Sequence, residues 1–265
     1  MGIFTACPTK SALKKALKKH YISVNGAPAS TATFISGGEI IRLTLPPVKK
    51  PKKKLIFPLD VLFEDEHLAI IRKPAGISVS GNSFKTITNA LPQNLNLPSN
   101  TTAPQPVHRL DHATSGLLLV GKTGSSIRSL NAMFENKQVE KSYYAITIKK
   151  MSPFGSITLP VDGKASESTY RLLDSVASER FGCLNLLRLK PLTGRRHQLR
   201  KHLSAIGNPI LGDKLYTEEG LILQGKGLYL HAFRLCFKHP VTGEKIDIQD
   251  GLPAKFRKIF PQEKF

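Results

Sequence analysis

The chain has 265 residues, and 40% of them are hydrophobic, which is typical of a globular protein rather than a disordered one. This length accommodates one large domain and a small one, and no apolar run approaches the roughly 18 residues of a membrane span. A formal net charge of +20 predicts a polyanionic partner, either nucleic acid or an acidic membrane surface.

Three cysteines, Cys7, Cys183 and Cys236, stand far apart and form no CxxC pair. Their odd number and wide spacing argue against a disulfide framework or a cysteine zinc site. Unpaired cysteines fit a reducing compartment, so we expect a cytoplasmic protein.

The positive charge is concentrated at the N-terminus, where residues 1–57 hold eleven lysines and arginines and one acidic residue. Residues 10–20 have helical periodicity, with Leu13, Ala16 and Leu17 on one side and Ser11 expected as the N-cap. Lysines cover much of the remaining surface of this predicted helix: Lys14, Lys15, Lys18 and Lys19.

A strand over residues 21–24 leads into Asn25-Gly26, a strong signal for a tight hairpin turn. Residues 36–43 predict a second turn and strand. The segment that follows, residues 46–57, begins with three prolines and five lysines in nine residues, which predicts a linker.

The larger part of the chain opens with a strand, an acidic turn, a strand and a Lys-Pro-x-Gly bend over residues 61–76. Residues 81–106 lack periodicity and predict a long loop. Residues 125–138 predict a helix with an apolar stripe, and further strands are expected at 140–148, 168–173 and 184–189. The apolar stripe of the helix consists of Ile127, Leu130, Met133 and Phe134.

Residues 108–112 read His-Arg-Leu-Asp-His and precede a Thr-Ser-Gly turn and a short apolar run that predicts a buried strand. Such a strand would hold Asp111 at the rim of the core, where a carboxylate can be a nucleophile or a base. The alternative is that Asp111 only hydrogen-bonds the turn that follows it. The residues alone leave both open.

Residues 192–209 predict a second helix, with Thr193 as its N-cap and Gly207 at its end. Arg195 and Arg196 would then lie in the first turn, where the helix dipole disfavours cations. An anionic partner, either a carboxylate or an RNA phosphate, would resolve that conflict.

These segments resemble the RluA-type pseudouridine synthases. The resemblance rests on His108-Arg109-Leu110-Asp111 followed by Thr114-Ser115-Gly116-Leu117, and on Gly-Arg-x-His-Gln-Leu-Arg-x-His-Leu over residues 194–203. It extends to a Lys-x-Tyr at residues 141–143 and to Gly-Asp-x-x-Tyr at residues 212–216, and covers residues 58–253. The N-terminal helix and hairpin resemble the alpha-L RNA-binding domain.

The resemblance implies an α+β fold with a mixed, largely antiparallel sheet and flanking helices around an RNA-binding cleft. It also implies a partial alpha-L module at residues 1–45, a linker at 46–57 and a catalytic domain at 58–265. Asp111 would be the nucleophile, Tyr143 an active-site tyrosine, and Arg200 the cation that pairs with Asp111 through a forked contact.

The reaction implied is the isomerisation of uridine in RNA to pseudouridine, which needs no cofactor. Ribosomal RNA of the large subunit is expected as the substrate ahead of tRNA, and a monomer without membrane association is expected. The RNA contacts are expected from two sets of residues: His108, Arg109, Thr114, Arg195, Arg196 and His197 near the active site, and Lys14, Lys15, Lys18 and Lys19 at the N-terminus.

Three other functions are less consistent with the sequence. A metal-dependent hydrolase would need His108 and His112 on one helical face, whereas this segment predicts loop and strand, so no metal site is expected. A phosphate-binding loop at residues 121–124 has the wrong glycine spacing. A non-catalytic, ribosome-associated RNA-binding protein fits the composition, but the set of Asp111, Tyr143 and Arg200 argues for catalysis.

Overall fold

The structure, a computed structural model, describes residue 7 and residues 9–44, 55–97 and 103–261. The chain divides into two compact units, residues 1–53 and 54–265. Most of the predicted linker at residues 46–57 lies outside the described residues. The domain boundaries predicted from the sequence therefore stay predictions.

The first unit contains a helix and a small antiparallel sheet in the order β2-β1-β3. The elements are α1 (Lys10–Lys18), β1 (Ile22–Val24), β2 (Ala27–Pro28) and β3 (Ile41–Leu43). Asn25 and Gly26 join β1 to β2 with φ angles of 50° and 83°, the positive pair that a type I′ hairpin turn requires. The predicted hairpin is confirmed.

The start of α1 differs from the prediction. Thr9, not Ser11, is the N-cap, because its extended backbone lets its hydroxyl accept a hydrogen bond of 3.1 Å from the amide of Ala12. Ala16 and Ile22 are buried in the small core of this unit. Lys14, Lys15, Lys18 and Lys19 are all exposed.

The second unit is built on one large sheet, to which the described residues contribute ten strands. The strands are β4 (Asp60–Glu64), β5 (Leu68–Lys73), β6 (Gln105–Pro106), β7 (Ser115–Gly121), β8 (Glu140–Ile148), β9 (Phe154–Ile157), β10 (Ser168–Ser178), β11 (Gly182–Pro191), β12 (Leu230–Lys238) and β13 (Lys245–Gln249). Their order is β4-β5-β7-β12-β8-β11-β10-β9, with β6 paired to β7 and β13 paired to β12.

Helices flank this sheet, and both of its faces are covered. They are α2 (Ile87–Ala90), α3 (Gly124–Glu135), α4 (Gln198–Ala205) and α5 (Ala254–Arg257). Along β7, Leu118 and Val120 belong to one core and Leu117 and Leu119 to another, as the two-residue repeat of a strand requires. The predicted buried strand is confirmed, as is the α+β fold with a mixed, largely antiparallel sheet.

The helix predicted at residues 125–138 is present as α3, which begins at Gly124 and ends at Glu135. Its N-cap Thr123 forms a capping box with Ser126. The predicted stripe of Ile127, Leu130, Met133 and Phe134 packs onto one core. The strands predicted at 140–148, 168–173 and 184–189 are β8 and parts of β10 and β11.

The long loop predicted at residues 81–106 is partly wrong. It contains α2, whose N-cap Thr86 accepts from the amide of Asn89, a short 3-10 turn at Leu91–Gln93, and β6. Ile87 and Leu91 are fully buried, which anchors the segment to the core. Four-residue helices are too short to show a helical repeat in the sequence.

Candidate active site

The loop that carries Asp111 is set by the approach of two parallel strands, β7 and β12. Gly116 of β7 pairs with Ala232 of β12 and has a φ of 119°. A Cβ at this position would lie 2.2 Å from the carbonyl oxygen of Ala232, so only glycine fits. The glycine of the Thr-Ser-Gly motif therefore allows the strand contact that fixes the loop before β7.

Asp111 lies between a guanidinium group and an imidazole. Its Oδ2 is 3.4 Å from Nη1 of Arg200, and its Oδ1 is 3.7 Å from Nε2 of His197. The carboxylate is 16% exposed, so a substrate can reach it although protein surrounds most of it. The structure thus brings together Asp111 and Arg200, residues that are 89 positions apart in the chain.

Arg200 directs its fork to a different carboxylate, that of Asp213. Nε and Nη2 of Arg200 donate to the two oxygens of Asp213 at 2.7 and 2.8 Å. Burial of Arg200 lowers its pKa, but the hydrogen bonds and charge of Asp213, together with the charge of Asp111, outweigh burial and raise it. The forked contact with Asp111 expected from the sequence is therefore wrong, because Asp213 takes it.

The start of α4 also corrects the sequence prediction. The helix begins at Gln198, with His197 before it in the left-handed conformation at a φ of 55°. Thr193 is not the N-cap; its hydroxyl donates to Oε1 of Gln198, which also accepts from the amide of Arg195. Arg195 and Arg196 lie in the turn before the helix, so the predicted cations in the first helical turn are absent.

Tyr216 lies behind the two residues that face Asp111. Nδ1 of His197 is 2.8 Å from the hydroxyl of Tyr216, whose ring lies 5.0 Å from the guanidinium carbon of Arg200. Burial lowers the pKa of His197, and the negative charge of Asp111 opposes that shift. Tyr216 therefore contacts both residues that contact Asp111.

Tyr143 is on β8, in the cross-strand row of Gly116 and Ala232. It is 9% exposed, and burial, followed by the nearby charge of Asp111, raises the pKa of its hydroxyl. The next residue, Tyr144, stacks on Phe233 at 3.7 Å. The negative charge of Asp111 therefore acts on the hydroxyl of Tyr143.

Lys73, at the end of β5, forms hydrogen bonds with the backbone of the loop that carries Asp111. Its ammonium group is fully buried and donates to the carbonyl oxygens of Thr114 at 2.7 Å, Pro74 at 3.0 Å and His112 at 3.3 Å. Burial lowers the pKa of Lys73 to about 8, although the charge of Asp111 acts in the opposite direction. The lysine of the Lys-Pro-x-Gly bend thus stabilises the backbone of this loop.

The residues predicted to contact RNA near the site fall into two groups. Arg109, Arg195 and Arg196 are exposed. His108 is turned inwards: its ring stacks on Phe134 at 4.8 Å, its Nε2 accepts from the amide of Leu119, and burial lowers its pKa to about 3.

Thr114 is 2% exposed and its amide donates to the carbonyl oxygen of Asp111. Because the core encloses Thr114, its side chain is not available to a phosphate, and the predicted RNA contact does not hold for this residue. His108 is half-buried, so its RNA contact stays a prediction. His197 faces Asp111 and belongs to the cluster around that carboxylate.

Sequence reasoning assigned no role to Asp213, Tyr216 or Lys73. The signal available for the first two was the Gly-Asp-x-x-Tyr motif, and for the third the Lys-Pro-x-Gly bend. In the described ranges, no group of three or more histidine, cysteine, aspartate or glutamate side chains is placed to hold a metal ion. None of the helices described has the length and apolar character needed to cross a membrane.

An aspartate held between a cation and an imidazole, within the influence of a buried tyrosine, is typical of enzymes that use a carboxylate as nucleophile or base. The fold and the site therefore define an enzyme. Comparison with known proteins identifies the family, because the sequence model of the RNA pseudouridylate synthases matches residues 67–205.

Several curated relatives match over almost the whole chain. Ribosomal large subunit pseudouridine synthase C of Rickettsia felis is 31% identical over 95% of this chain and 91% of that protein. The Pasteurella multocida protein of the same name is 32% identical over 94% of this chain and 84% of its own. Among solved structures, human RNA Pseudouridylate Synthase Domain Containing 4 matches with a TM-score of 0.60 and 27% identity, over 74% of this chain and 90% of that one.

The chain belongs to the RNA pseudouridylate synthase family, in its RluA-type branch. The protein is an RNA pseudouridine synthase, an isomerase that acts on uridine in RNA. The resemblance found in the sequence is confirmed.

Proposed function

We propose that this enzyme isomerises uridines of large-subunit ribosomal RNA, with Asp111 as the nucleophile. The observation that carries the assignment of Asp111 is its position between Nη1 of Arg200 and Nε2 of His197, one contact on each carboxylate oxygen. The substrate class is supported by relatives of more than 30% identity that are named as synthases of the large ribosomal subunit.

The reaction conserves every atom of the nucleotide. The bond between N1 of the base and C1′ of the ribose breaks, the base turns, and C5 bonds to C1′. A proton leaves C5 and a proton is taken up at N1, so no oxidant or reductant is consumed. Asp111 can start this sequence by attacking either the pyrimidine ring or the anomeric carbon, and both routes need it ionised.

Arg200 and Tyr143 have distinct roles in this proposal. The guanidinium of Arg200 lies 3.4 Å from Oδ2 of Asp111 and orients the carboxylate that attacks the substrate. Tyr143 is buried and its raised pKa keeps the hydroxyl protonated, so it can stack on the base or donate a hydrogen bond. A uridine stacked in a helix cannot reach Asp111, so the nucleotide must flip out of its stack.

Two exposed basic surfaces can hold the RNA backbone. Near the site, Arg109, Arg195 and Arg196 are exposed; on the N-terminal unit, one helix carries the exposed Lys14, Lys15, Lys18 and Lys19. Contacts of this kind bind phosphates and are not selective for bases. The RNA therefore gains affinity from them, while the choice of uridine is made at the site. The three unpaired cysteines suit the cytoplasm, where we place this activity.

The test is to incubate the full chain with unmodified large-subunit ribosomal RNA and with an unmodified tRNA pool, and to map pseudouridine in each. We expect pseudouridine at a small number of positions in the ribosomal RNA and none in the tRNA. Formation in tRNA alone would contradict the substrate, and formation in neither would contradict the activity. Asp111→Asn is the negative control, and Asp174→Asn on β10 is its matched exchange outside the site.

A further inference from the structure

Tyr216 connects both groups that hold Asp111. Its hydroxyl lies 2.8 Å from Nδ1 of His197, and its ring lies 5.0 Å from the guanidinium of Arg200. Its own position is fixed through the backbone, because its amide donates to Oδ1 of Asp213 and its carbonyl oxygen accepts from the hydroxyl of Ser204. Tyr216 therefore sits where a single side chain can set the geometry of the whole cluster.

The His197 ring has two nitrogens, and only one of them faces Asp111. Its Nε2 is 3.7 Å from Oδ1 of Asp111, which is longer than a hydrogen bond, whereas Nδ1 is at hydrogen-bond distance from Tyr216. A neutral imidazole has one donor and one acceptor nitrogen, and the shorter hydrogen bond decides which is which. Tyr216 thus has more influence on the tautomer than Asp111 has.

We propose that Tyr216 is a positioning residue of the synthase reaction: its hydroxyl donates to Nδ1 of His197, so that the proton of the neutral imidazole stays on Nε2 and faces Asp111. This inference rests on the proposed role of Asp111. In the opposite tautomer a lone pair of Nε2 would face the carboxylate and repel it. With Tyr216 in place, an N–H group faces each oxygen of Asp111: Nη1 of Arg200 at 3.4 Å and Nε2 of His197 at 3.7 Å.

The backbone of His197 also restricts the orientation of its imidazole ring. A φ of 55° lies in the left-handed region, which non-glycine residues seldom adopt, although asparagine, aspartate and histidine do so more often than the others. The amide side chain of Gln198 holds the turn that precedes the helix, through Thr193 and Arg195. The backbone and the hydroxyl of Tyr216 therefore fix the imidazole from two sides.

Charged groups from each element packed against His197 act on its protonation. They are Asp111 from the loop before β7, Arg196 from the turn before α4, and Arg200 and Lys201 from α4. Burial and the three cations lower the pKa of the imidazole, and the charge of Asp111 opposes them. Asp162, whose own pKa is lowered in part by the charge of His197, acts in the same direction as Asp111. His197 is therefore neutral near pH 8, the condition in which its tautomer matters.

The decisive variant is Tyr216→Phe, which keeps the ring against Arg200 and removes only the hydroxyl. We expect its single-turnover rate on a short RNA to fall roughly tenfold at pH 8, the equivalent of one hydrogen bond. Acidification should restore part of the rate relative to wild type, because a protonated imidazole carries N–H on both nitrogens. A role in folding alone would give a loss that does not depend on pH.

Four further variants test whether the loss comes from the hydroxyl of Tyr216, from its ring or from removing any buried tyrosine hydroxyl. Tyr216→Leu removes both and should add a pH-independent loss. His197→Gln presents a donor without a tautomer, so the double variant His197→Gln/Tyr216→Phe should match His197→Gln alone. Tyr229→Phe, which also removes a buried tyrosine hydroxyl but packs on Phe256, is the control and should behave as wild type.

The tautomer itself is measured by long-range ¹H–¹⁵N correlation spectra of the histidine side chains, with the His197 signals identified by their loss in His197→Gln. We expect protonated Nε2 in wild type and a mixture of tautomers in Tyr216→Phe. Protonated Nδ1 in wild type, or a pH-independent loss of rate in Tyr216→Phe, would overturn the proposal. The spectra can be recorded whether or not the protein is active. A wild-type protein without synthase activity would therefore contradict the proposed function and leave the tautomer assignment unaffected.

Discussion

Arg200 donates hydrogen bonds from Nε and Nη2 to Asp213, whose side chain is 1% exposed, and only its Nη1 faces Asp111. The guanidinium is therefore anchored on one carboxylate so that it can face another. A buried arginine without a partner carries a large desolvation cost, and Asp213 compensates for it. Asp213 therefore holds Arg200 in place in the protein without RNA.

We predict that Asp213→Asn lowers both stability and turnover. Breaking a buried ion pair costs about 3–5 kcal/mol, and the free guanidinium would no longer be held against Asp111. The free energy of unfolding in urea and the single-turnover rate measure the two effects. Asp247→Asn breaks a similar bidentate ion pair, with Arg234, at a more exposed position. This variant should lose at most about 1 kcal/mol of unfolding free energy and keep its turnover. Equal losses in the two variants would contradict the anchoring role.

A second prediction is that Asp111 and Arg200 act as one unit in catalysis. Asp111→Asn should abolish turnover while RNA binding persists, and Arg200→Lys should be severely impaired, because a single ammonium cannot contact Asp213 and Asp111 together. The double variant Asp111→Asn/Arg200→Lys should be no slower than Asp111→Asn alone. Single-turnover rates of wild type, both singles and the double decide this. Turnover near the wild-type value in Asp111→Asn would remove the nucleophile assignment.

Elements that depend only on neighbouring residues could be predicted from the sequence. The turn at Asn25-Gly26, the apolar stripe of α3 and the buried run of β7 each depend on a repeat or a turn within a few residues, so they could be predicted. Asp111 was found through its motif.

The partners of Asp111 could not be worked out from local patterns. Arg200 meets Asp111 only because α4 returns to the loop before β7, a contact across 89 positions. Asp213, in the segment after α4, meets Arg200 and not Asp111 itself. The start of α4 was misplaced because Thr193, an ordinary N-cap residue by sequence, uses its hydroxyl on the side chain of Gln198. Nothing local in the sequence shows that the ring of His108 packs on Phe134.

A third prediction is that replacing Gly116 destabilises the folded protein. Gly116→Ala places a methyl group against the carbonyl oxygen of Ala232 and forces alanine into a φ of 119°. We expect destabilisation of about 3 kcal/mol or more, since the strain and the clash add. Gly220→Ala has open space and no positive φ, and should unfold as wild type does. Thermal and urea unfolding of the two variants measure the difference; a stable Gly116→Ala would show that β7 and β12 can separate.

A fourth prediction concerns Lys73 and pH. Its folded pKa of about 8 is below the unfolded value near 10.4, so the folded state binds fewer protons between these values and stability rises with pH in that window. The free energy of unfolding of wild type minus that of Lys73→Met should therefore increase by about 3 kcal/mol from pH 8 to pH 10.5. Lys238→Met, an exchange at an exposed lysine, corrects for the loss of a positive charge. A difference that stays constant across this range would mean that burial of the ammonium group is not what the structure indicates.

The fifth prediction is that the lysines of α1 contribute affinity and no chemistry. Lys14, Lys15, Lys18 and Lys19 are exposed on one short helix, where each can neutralise an RNA phosphate. Changing all four to glutamine should weaken RNA binding, and the slope of log affinity against log salt should become shallower by up to about 3, at roughly 0.7 per phosphate contact on a single strand. The matched control changes Lys137, Lys164, Lys226 and Lys238, exposed lysines of the large unit, to glutamine, which keeps the change in net charge the same. The single-turnover rate at saturating RNA should stay at the wild-type value, because no α1 lysine is assigned to the reacting atoms. A slope identical to that of the control, or a collapse of the saturated rate, would contradict this division between binding and catalysis.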